Sequence, residues 1–229
     1  MNWSIFVGVL VGAIIALGLA YLIASFVVGQ EVAQRNLQGI FPIGILAGVS
    51  IPFLFYFLSN IEYLWFTLAV LALIFVLGSI VNWFWRKRQT GLLLLNVGQT
   101  RSHWLTLGAG VIFTSLAMGQ TYILITRTTE TFAEDNNLLL SQIVFNWALA
   151  IFFIVNGLSK LELREKAICF MSAIIKWDEI KSYKWEGKQG NILTTWHKKQ
   201  FLGFPNHQSF PIPAHKKAAV ESILNEFLS

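Results

Sequence analysis

Five long stretches without Asp, Glu, Lys or Arg constrain the fold of this chain more than any other feature of its sequence. About 20 apolar residues suffice for an α-helix to cross the hydrocarbon core of a bilayer. Because lipid offers the backbone no hydrogen-bond partners, a segment that crosses it on its own forms a helix. The sequence therefore predicts an all-α membrane bundle of five transmembrane helices, over residues 3–28, 40–58, 63–81, 103–125 and 138–158.

Three of these stretches have an alternative interpretation to consider. Only a short polar break separates 40–58 from 63–81, so one re-entrant pair is the alternative to two full crossings. The first stretch is longer than the roughly 7–15 apolar residues of a signal peptide, and no Lys or Arg precedes Arg35. We therefore expect the first stretch to be a retained helix.

The composition is that of a membrane protein. The 229 residues are 55% hydrophobic and 13% charged, with a mean hydropathy of +0.59, whereas an ordinary soluble domain is about 25% charged. These values exclude a secreted disulfide scaffold, a disordered chain and a free cytosolic enzyme. The single cysteine, Cys169, excludes an internal disulfide and a multi-cysteine metal cluster.

Charged residues are concentrated at the end of the chain. Residues 160–229 hold 11 of the 17 basic and seven of the 12 acidic side chains. We therefore predict a transmembrane domain over residues 1–159 and a water-exposed domain over residues 160–229. A basic domain beside a bilayer indicates contact with anionic lipid head groups rather than with nucleic acid.

Lys and Arg in the short loops indicate the orientation, because clustered cations resist translocation. Arg35 follows the first stretch, the cluster Arg86, Lys87 and Arg88 follows the third, and the tail begins at Lys160. Five spans with an outside N-terminus place all of these residues on the cytoplasmic side. The expected location is the plasma or inner membrane, with a cytoplasmic C-terminal domain.

Small residues recur every four positions in the first two stretches, a spacing that lets a second helix approach closely. We expect this ridge to pack within the bundle, with contact to another membrane protein as the alternative. The predicted helix-packing residues are Gly8, Gly12, Ala16, Ala20, Ala24, Gly44 and Gly48.

Few groups in the spans suggest chemistry. No span carries a charged residue of the kind that marks ion and proton pathways. Gln142, Asn146 and Asn156 predict hydrogen bonds between helices, with a path for a neutral solute as the alternative. His103 is expected to be an interface residue, with ligation of a pigment magnesium as the less favoured reading. Catalytic motifs such as HExxH, GxSxG or a P-loop are absent from the sequence, so we expect no enzyme activity, cofactor or metal.

The tail has the pattern of strands followed by one helix. Alternation predicts a strand in 161–170 and a hairpin from the segments 181–185 and 191–198, with 177–180 as a tight turn and 209–212 as an edge strand. The terminal helix is predicted from one apolar stripe, formed by Val220, Ile223, Leu224, Phe227 and Leu228. The earlier segment GLLLLN, residues 91–96, is either a strand or a segment lying in the head-group layer.

The motifs IKWDEIKSYKWE and SFPIP, followed by the terminal helix, resemble those of bacterial pleckstrin-homology-like domains. They are similar to the C-terminal domain of an uncharacterised multi-span membrane protein family that is common in cyanobacteria. The resemblance implies a small α+β domain with an antiparallel sheet capped by a helix. It also implies core positions at Ile175, Trp177 and Ile180. The basic phosphoinositide signature of the eukaryotic domains is absent, so inositol-lipid recognition is not implied.

These features predict a non-enzymatic membrane scaffold or assembly protein, whose tail binds a protein partner or an anionic lipid surface. In a cyanobacterium, this would be an assembly factor of the thylakoid. The alternative is a carrier or channel for a neutral or lipid-like solute. The candidate contact residues combine cations with large apolar groups and are Arg86, Lys87, Arg88, Trp196, Lys198, Lys199, Phe201 and Phe204.

Overall fold

The computed structural model describes residues 18, 21–23, 25–27, 29–34, 64–126, 135–187, 189–198 and 206–228. The chain divides into two compact units, one over residues 61–175 and the other over residues 176–229 together with 1–60. Each unit is described by itself.

Three helices in the described ranges are long and apolar enough to cross a membrane. They are α1 (Leu64–Arg88), α2 (Arg101–Thr126) and α3 (Asp135–Leu158). The structure thus supports three of the five predicted spans. The spans 3–28 and 40–58 lie outside the described residues, apart from helical positions at 18, 21–23 and 25–27. All seven predicted helix-packing residues, from Gly8 to Gly48, also lie outside them.

Helix α1 extends seven residues beyond its predicted end at Val81 and includes the basic cluster of residues 86–88 in its last turn. The prediction of a loop at residues 86–88 is wrong, because a helix can continue beyond the apolar stretch from which its span is predicted. Cations in a last helical turn interact favourably with the helix dipole, and this favours the longer helix.

Helix α3 packs against both α1 and α2. Glycine residues allow α3 and α2 to approach each other closely. A Cβ atom at Gly157 would lie 2.7 Å from the backbone nitrogen of Leu107, and one at Gly110 would lie 2.8 Å from Cγ1 of Ile154. Between these helices the rings of Phe113 and Phe153 stack with centroids 5.4 Å apart.

A polar ladder crosses the same interface. Gln120 Nε2 donates to Gln142 Oε1 at 3.2 Å, and Asn146 Nδ2 donates to Gln120 Oε1 at 2.8 Å. The predicted hydrogen bonds between helices are therefore confirmed for Gln142 and Asn146. Asn156 instead donates to the carbonyl oxygen of Phe152 in its own helix.

Substitution of the interface glycine tests this packing. We expect Gly157→Ala to destabilise the α2–α3 pair by about 1–3 kcal/mol, because the new methyl group would meet backbone atoms that cannot move aside. Gly108→Ala is the matched control, since a Cβ atom there meets nothing within 4 Å. Thermal unfolding in detergent should show a lower midpoint for Gly157→Ala alone. Equal midpoints for the two variants would contradict the packing.

Four strands form an antiparallel sheet in the order β1-β2-β3-β4. They are β1 (Leu93–Gly98), β2 (Leu161–Arg164), β3 (Ala167–Phe170) and β4 (Ala173–Lys176). Residues 93–96 of the GLLLLN segment thus belong to a strand, whereas Gly91 and Leu92 precede it. The single strand predicted over 161–170 is instead a hairpin that turns at Glu165 and Lys166. Periodicity missed the turn because the apolar residues of β2 and β3 follow one another without a Gly or Pro.

Three further strands form a second antiparallel sheet in the order β5-β6-β7. They are β5 (Ile180–Glu186), β6 (Ile192–His197) and β7 (His207–Pro211). The predicted turn at 177–180 is a 3-10 helix over Trp177–Glu179, and a second one lies at Ala214–Lys216.

The chain ends with helix α4 (Lys217–Leu228), as the apolar stripe predicts. Val220 and Leu224 of the stripe are fully buried. Phe227 stacks on Trp177 with ring centroids 5.2 Å apart. The structure thus confirms a small antiparallel sheet domain with a C-terminal helix.

Candidate functional site

Strand β1 comes from the connection between α1 and α2, yet it pairs with the strand that directly follows α3. Its register places Leu93 opposite Arg164 and Leu95 opposite Leu163. The turn of the next hairpin is bonded to the same connection, since the backbone nitrogen of Glu165 donates to the carbonyl oxygen of Leu92 at 3.1 Å. The start of the C-terminal domain is therefore built onto the ends of the membrane helices.

A charge cluster formed by Lys87, Glu162 and Arg164 lies at this junction. Lys87 Nζ is 2.8 Å from Glu162 Oε1, and Arg164 Nε is 2.9 Å from Glu162 Oε2. Arg164 also donates to the carbonyl oxygens of Lys87 and Gly91, at 3.4 and 3.2 Å. The ammonium group of Lys87 lies over the ring of Trp83, 5.0 Å from its centroid. The cluster thus ties the last turn of α1 to β2.

Glu162 is the centre of this cluster and is 8% exposed. Burial alone would raise the pKa of its carboxyl group. Hydrogen bonds and charge attraction from Lys87 and Arg164 outweigh burial and lower that pKa below its usual value. Glu162 is therefore ionised at neutral pH, and both of its oxygens accept a charged hydrogen bond.

Thr90 and Cys169 extend the junction on the side of β3. Thr90 Oγ1 donates to the carbonyl oxygen of Lys87 at 2.7 Å and lies 3.9 Å from Cys169 Sγ. Burial raises the pKa of the Cys169 thiol, which therefore stays protonated at neutral pH and is a poor nucleophile. Among the described residues, no group of three His, Cys, Asp or Glu side chains could hold a metal ion.

His103 lies in the first turn of α2 and is completely buried. The backbone nitrogen of Thr100 donates to His103 Nδ1 at 3.0 Å, so the imidazole satisfies one of the amide groups at the helix start. Its ring meets that of Phe170 edge to face, with centroids 5.1 Å apart. His103 thus joins α2 to β3. The alternative of pigment ligation stays an untested prediction.

A second surface lies on β5 and β6, in the unit that contains residues 176–229. It is a shallow depression. We use the name basic surface for this depression together with Lys198, which is exposed and follows β6. Its lining residues are Lys181, Ser182, Tyr183, Lys184, Trp196 and Asn206. Tyr183 is held in place by donating to Asn225 Oδ1 of α4 at 2.6 Å. The surface thus combines three exposed lysines with two half-buried aromatic side chains.

The predicted contact residues do not form one surface. Arg86 and Arg88 are exposed, whereas Lys87 is engaged in the charge cluster. Trp196 and Lys198 belong to the basic surface. Lys199, Phe201 and Phe204 lie outside the described residues.

Sequence reasoning missed four residues of these two sites. Lys181 and Lys184 appeared only as parts of an alternating strand, and the structure shows both of them exposed on β5. Glu162 and Arg164 lie within the strand predicted over 161–170, and the sequence pattern assigns neither of them to a site. Their partner Lys87 lies 75 residues before Glu162, and no local signal connects the two.

Comparison with known proteins adds one finding. No curated protein and no solved structure gave a significant match to the chain. Residues 159–229 match the Domain of unknown function (DUF5673), an uncharacterised family. This match covers under a third of the chain and leaves out β1, the outer strand of the first sheet.

Proposed function

We propose that this protein is a non-enzymatic membrane scaffold whose C-terminal domain binds an acidic segment of a partner protein. The observation that carries the proposal is the junction between the membrane helices and the domain. β1 and the charge cluster hold β2, the first strand after α3, against α1. A domain whose first strand is held in this way could keep a bound partner close to the membrane.

We further propose that the C-terminal domain is pleckstrin-homology-like, with β1 as its first strand. Four strands, then three strands, then one helix follow in chain order, in keeping with the resemblance of the sequence motifs. The first strand would then be supplied by the membrane part of the chain.

The chemistry of the basic surface supports an acidic partner. Lys181, Lys184 and Lys198 are exposed, and clustered cations raise the rate at which acidic partners are encountered. Trp196 and Tyr183 supply rigid apolar area, and these two residue types are enriched among the side chains that dominate binding energy. An anionic lipid surface is the other class of partner that such a surface could bind.

Neutralising the basic surface tests this function. The variant Lys181→Gln/Lys184→Gln/Lys198→Gln should lose a stoichiometric partner that wild type retains in mild detergent, and higher salt should release that partner from wild type. The control Lys160→Gln/Lys166→Gln/Lys176→Gln removes three other exposed lysines and should retain it. Quantitative mass spectrometry of the purified proteins measures how much partner wild type and each of the two variants retain. If the first variant retains the partner, or loses only affinity for anionic vesicles, the acidic partner protein is excluded.

We also propose that the protein resides in the plasma, inner or thylakoid membrane. The C-terminal domain would then face the cytoplasm. The pairing of β1 with β2 supports a common side for the α1–α2 connection and the tail. Val32 and Ala33 are buried against Ile192, which supports the same side for the connection near Arg35. Arg35, the cluster Arg86, Lys87 and Arg88, and the basic tail would then lie where cations are retained, with Arg127 as the one exception among the short connections.

Cysteine labelling tests the orientation. In a Cys169→Ala background, a cysteine replacing Asn136 should react with an impermeant thiol reagent in intact cells, because the acidic connection before α3 should be outside. Cysteines replacing Gln89 or Gln189 should react only after the membrane is opened. Labelling of Gln189→Cys in sealed cells would reverse the proposed orientation.

The carrier or channel hypothesis gains no specific support. It stays an untested alternative; two of the polar groups that motivated it, Gln142 and Asn146, hydrogen-bond to Gln120.

A further inference from the structure

The edge of the first sheet carries an exposed row of leucines beside the membrane helices. Leu92, Leu93 and Leu94 are 73%, 47% and 41% exposed. Among the strands that the structure describes, β1 is the outer one of its sheet and pairs with β2. A flat apolar edge of this kind in water invites aggregation, so natural proteins cover or charge it. Some other apolar medium should therefore cover these leucines.

The chain connections place this edge at the membrane surface. Four residues separate the end of α1 at Arg88 from β1, and two residues separate β1 from the start of α2 at Arg101. An extended chain covers at most about 3.6 Å per residue, so Gly98 lies within about 11 Å of Arg101. The head-group layer is itself roughly 5–8 Å thick on each side of the bilayer. At least one end of β1 thus lies in or next to that layer.

Aromatic residues on both neighbouring helix ends mark the same level. Trp85 near the end of α1 is 65% exposed, and Trp104 near the start of α2 is 63% exposed. Exposed tryptophans at the ends of spanning helices are typical of the membrane–water interface. The leucine edge is therefore continuous with a lipid-facing surface.

The exposed charges in the last turn of α1 are cationic, and one carboxylate, that of Glu165, lies at the edge itself, where it accepts from the backbone nitrogen of Leu92 at 3.0 Å. Arg86 and Arg88 are exposed in the last turn of α1, whereas Lys87 between them is bound to Glu162. A guanidinium group binds phosphate with two parallel hydrogen bonds, which suits a lipid head group.

We propose that residues 86–94 form an interfacial binding site for anionic phospholipid. Leu92, Leu93 and Leu94 enter the boundary of the acyl chains, and Arg86 and Arg88 bind the phosphate groups. The proposal goes beyond the scaffold function and does not rest on it. It adds a lipid that stabilises the strand on which the C-terminal domain is built.

Depth measurement tests the leucines. A spin label on Leu94→Cys, in the full-length Cys169→Ala protein in nanodiscs, should be accessible to oxygen and protected from a water-soluble nickel complex. Leu71→Cys, on an exposed part of α1, gives the hydrocarbon reference. Lys166→Cys, in the exposed turn of the hairpin, gives the aqueous reference. A Leu94 label as open to nickel as the Lys166 label would overturn the proposal.

Lipid retention tests the arginines. From nanodiscs of equal parts phosphatidylcholine and phosphatidylglycerol, wild type should retain phosphatidylglycerol in preference. Arg86→Gln/Arg88→Gln should reduce that preference at least about twofold, because each cation near the surface contributes to anionic lipid binding. The control Lys181→Gln/Lys184→Gln removes the same charge from the basic surface, and so separates this proposal from the proposed function. If the arginine variant loses no more preference than the lysine control, the site is not at residues 86–94.

Discussion

Replacing Val97 with aspartate should unfold the sheet β1–β4, although Val97 belongs to the connection between two membrane helices. Val97 is 5% exposed in β1. A carboxylate in that position would be buried without a partner, which costs several kcal/mol, comparable to the roughly 5 kcal/mol that a small domain has in total. The matched control is Asn96→Asp, which adds the same charge at an exposed position of the same strand. Proteolysis of the full-length protein in detergent should cut residues 160–229 in the first variant alone.

The same reasoning predicts the behaviour of the segment that matches the family. Residues 159–229 without β1 should not fold as a stable domain, because Leu161 and Leu163 of β2 would lose the strand beside them and become exposed. Circular dichroism and thermal unfolding of the isolated segment should show no cooperative transition. A cooperative transition in that segment, or a protease-resistant Val97→Asp variant, would show that the domain does not need β1.

Glu162→Gln should destabilise the junction by about 3–5 kcal/mol. The side chains of Lys87, Glu162 and Arg164 are only 11–19% exposed. Removing the one carboxylate would leave two largely buried cations facing each other, and breaking a buried ion pair typically has a cost of this size. Glu165→Gln is the control, because glutamine keeps an oxygen that can accept from the backbone nitrogen of Leu92. Thermal unfolding of both variants measures the difference. Equal loss in the two variants would mean that the cluster contributes little.

The same cluster predicts acid sensitivity. The pKa of Glu162 is lower in the folded protein than its usual value near 4.5. Stability from this group is therefore complete above about pH 5, and it is lost as the pH falls through the folded-state pKa. The free energy of unfolding of wild type should therefore decrease as the pH is lowered below about 5. The decrease should be smaller for Glu162→Gln, which lacks the carboxylate.

The three long apolar helices α1, α2 and α3 could be predicted from the sequence, because an absence of charge over about 20 residues has one main physical meaning. The end of α1 could not be predicted, since the composition of residues 82–88 is compatible both with a polar loop and with a last helical turn. Its basic last turn is stabilised by the helix dipole and by contacts with β2, which lies far away in the chain.

The strand β1 stayed ambiguous in the sequence for a related reason. Four consecutive leucines show neither the period of a strand nor that of a helix. Only the pairing with β2 decides between a strand and an interfacial segment. The charge cluster was invisible because its two halves, Lys87 and the hairpin after α3, come together only when the two distant parts of the chain pair.

A disulfide between β1 and β2 tests most directly whether the C-terminal domain is built onto the membrane helices. Leu95 and Leu163 are Cα partners, and facing residues of antiparallel strands lie close enough for a disulfide. The Leu95→Cys/Leu163→Cys variant, in a Cys169→Ala background with a protease site placed between α2 and α3, should oxidise to one linked species. After cleavage and denaturation, its two fragments should separate only on reduction. Leu93→Cys/Leu161→Cys, at opposite ends of the register, should give two fragments without reduction. Fragments that separate without reduction in both variants would contradict the account.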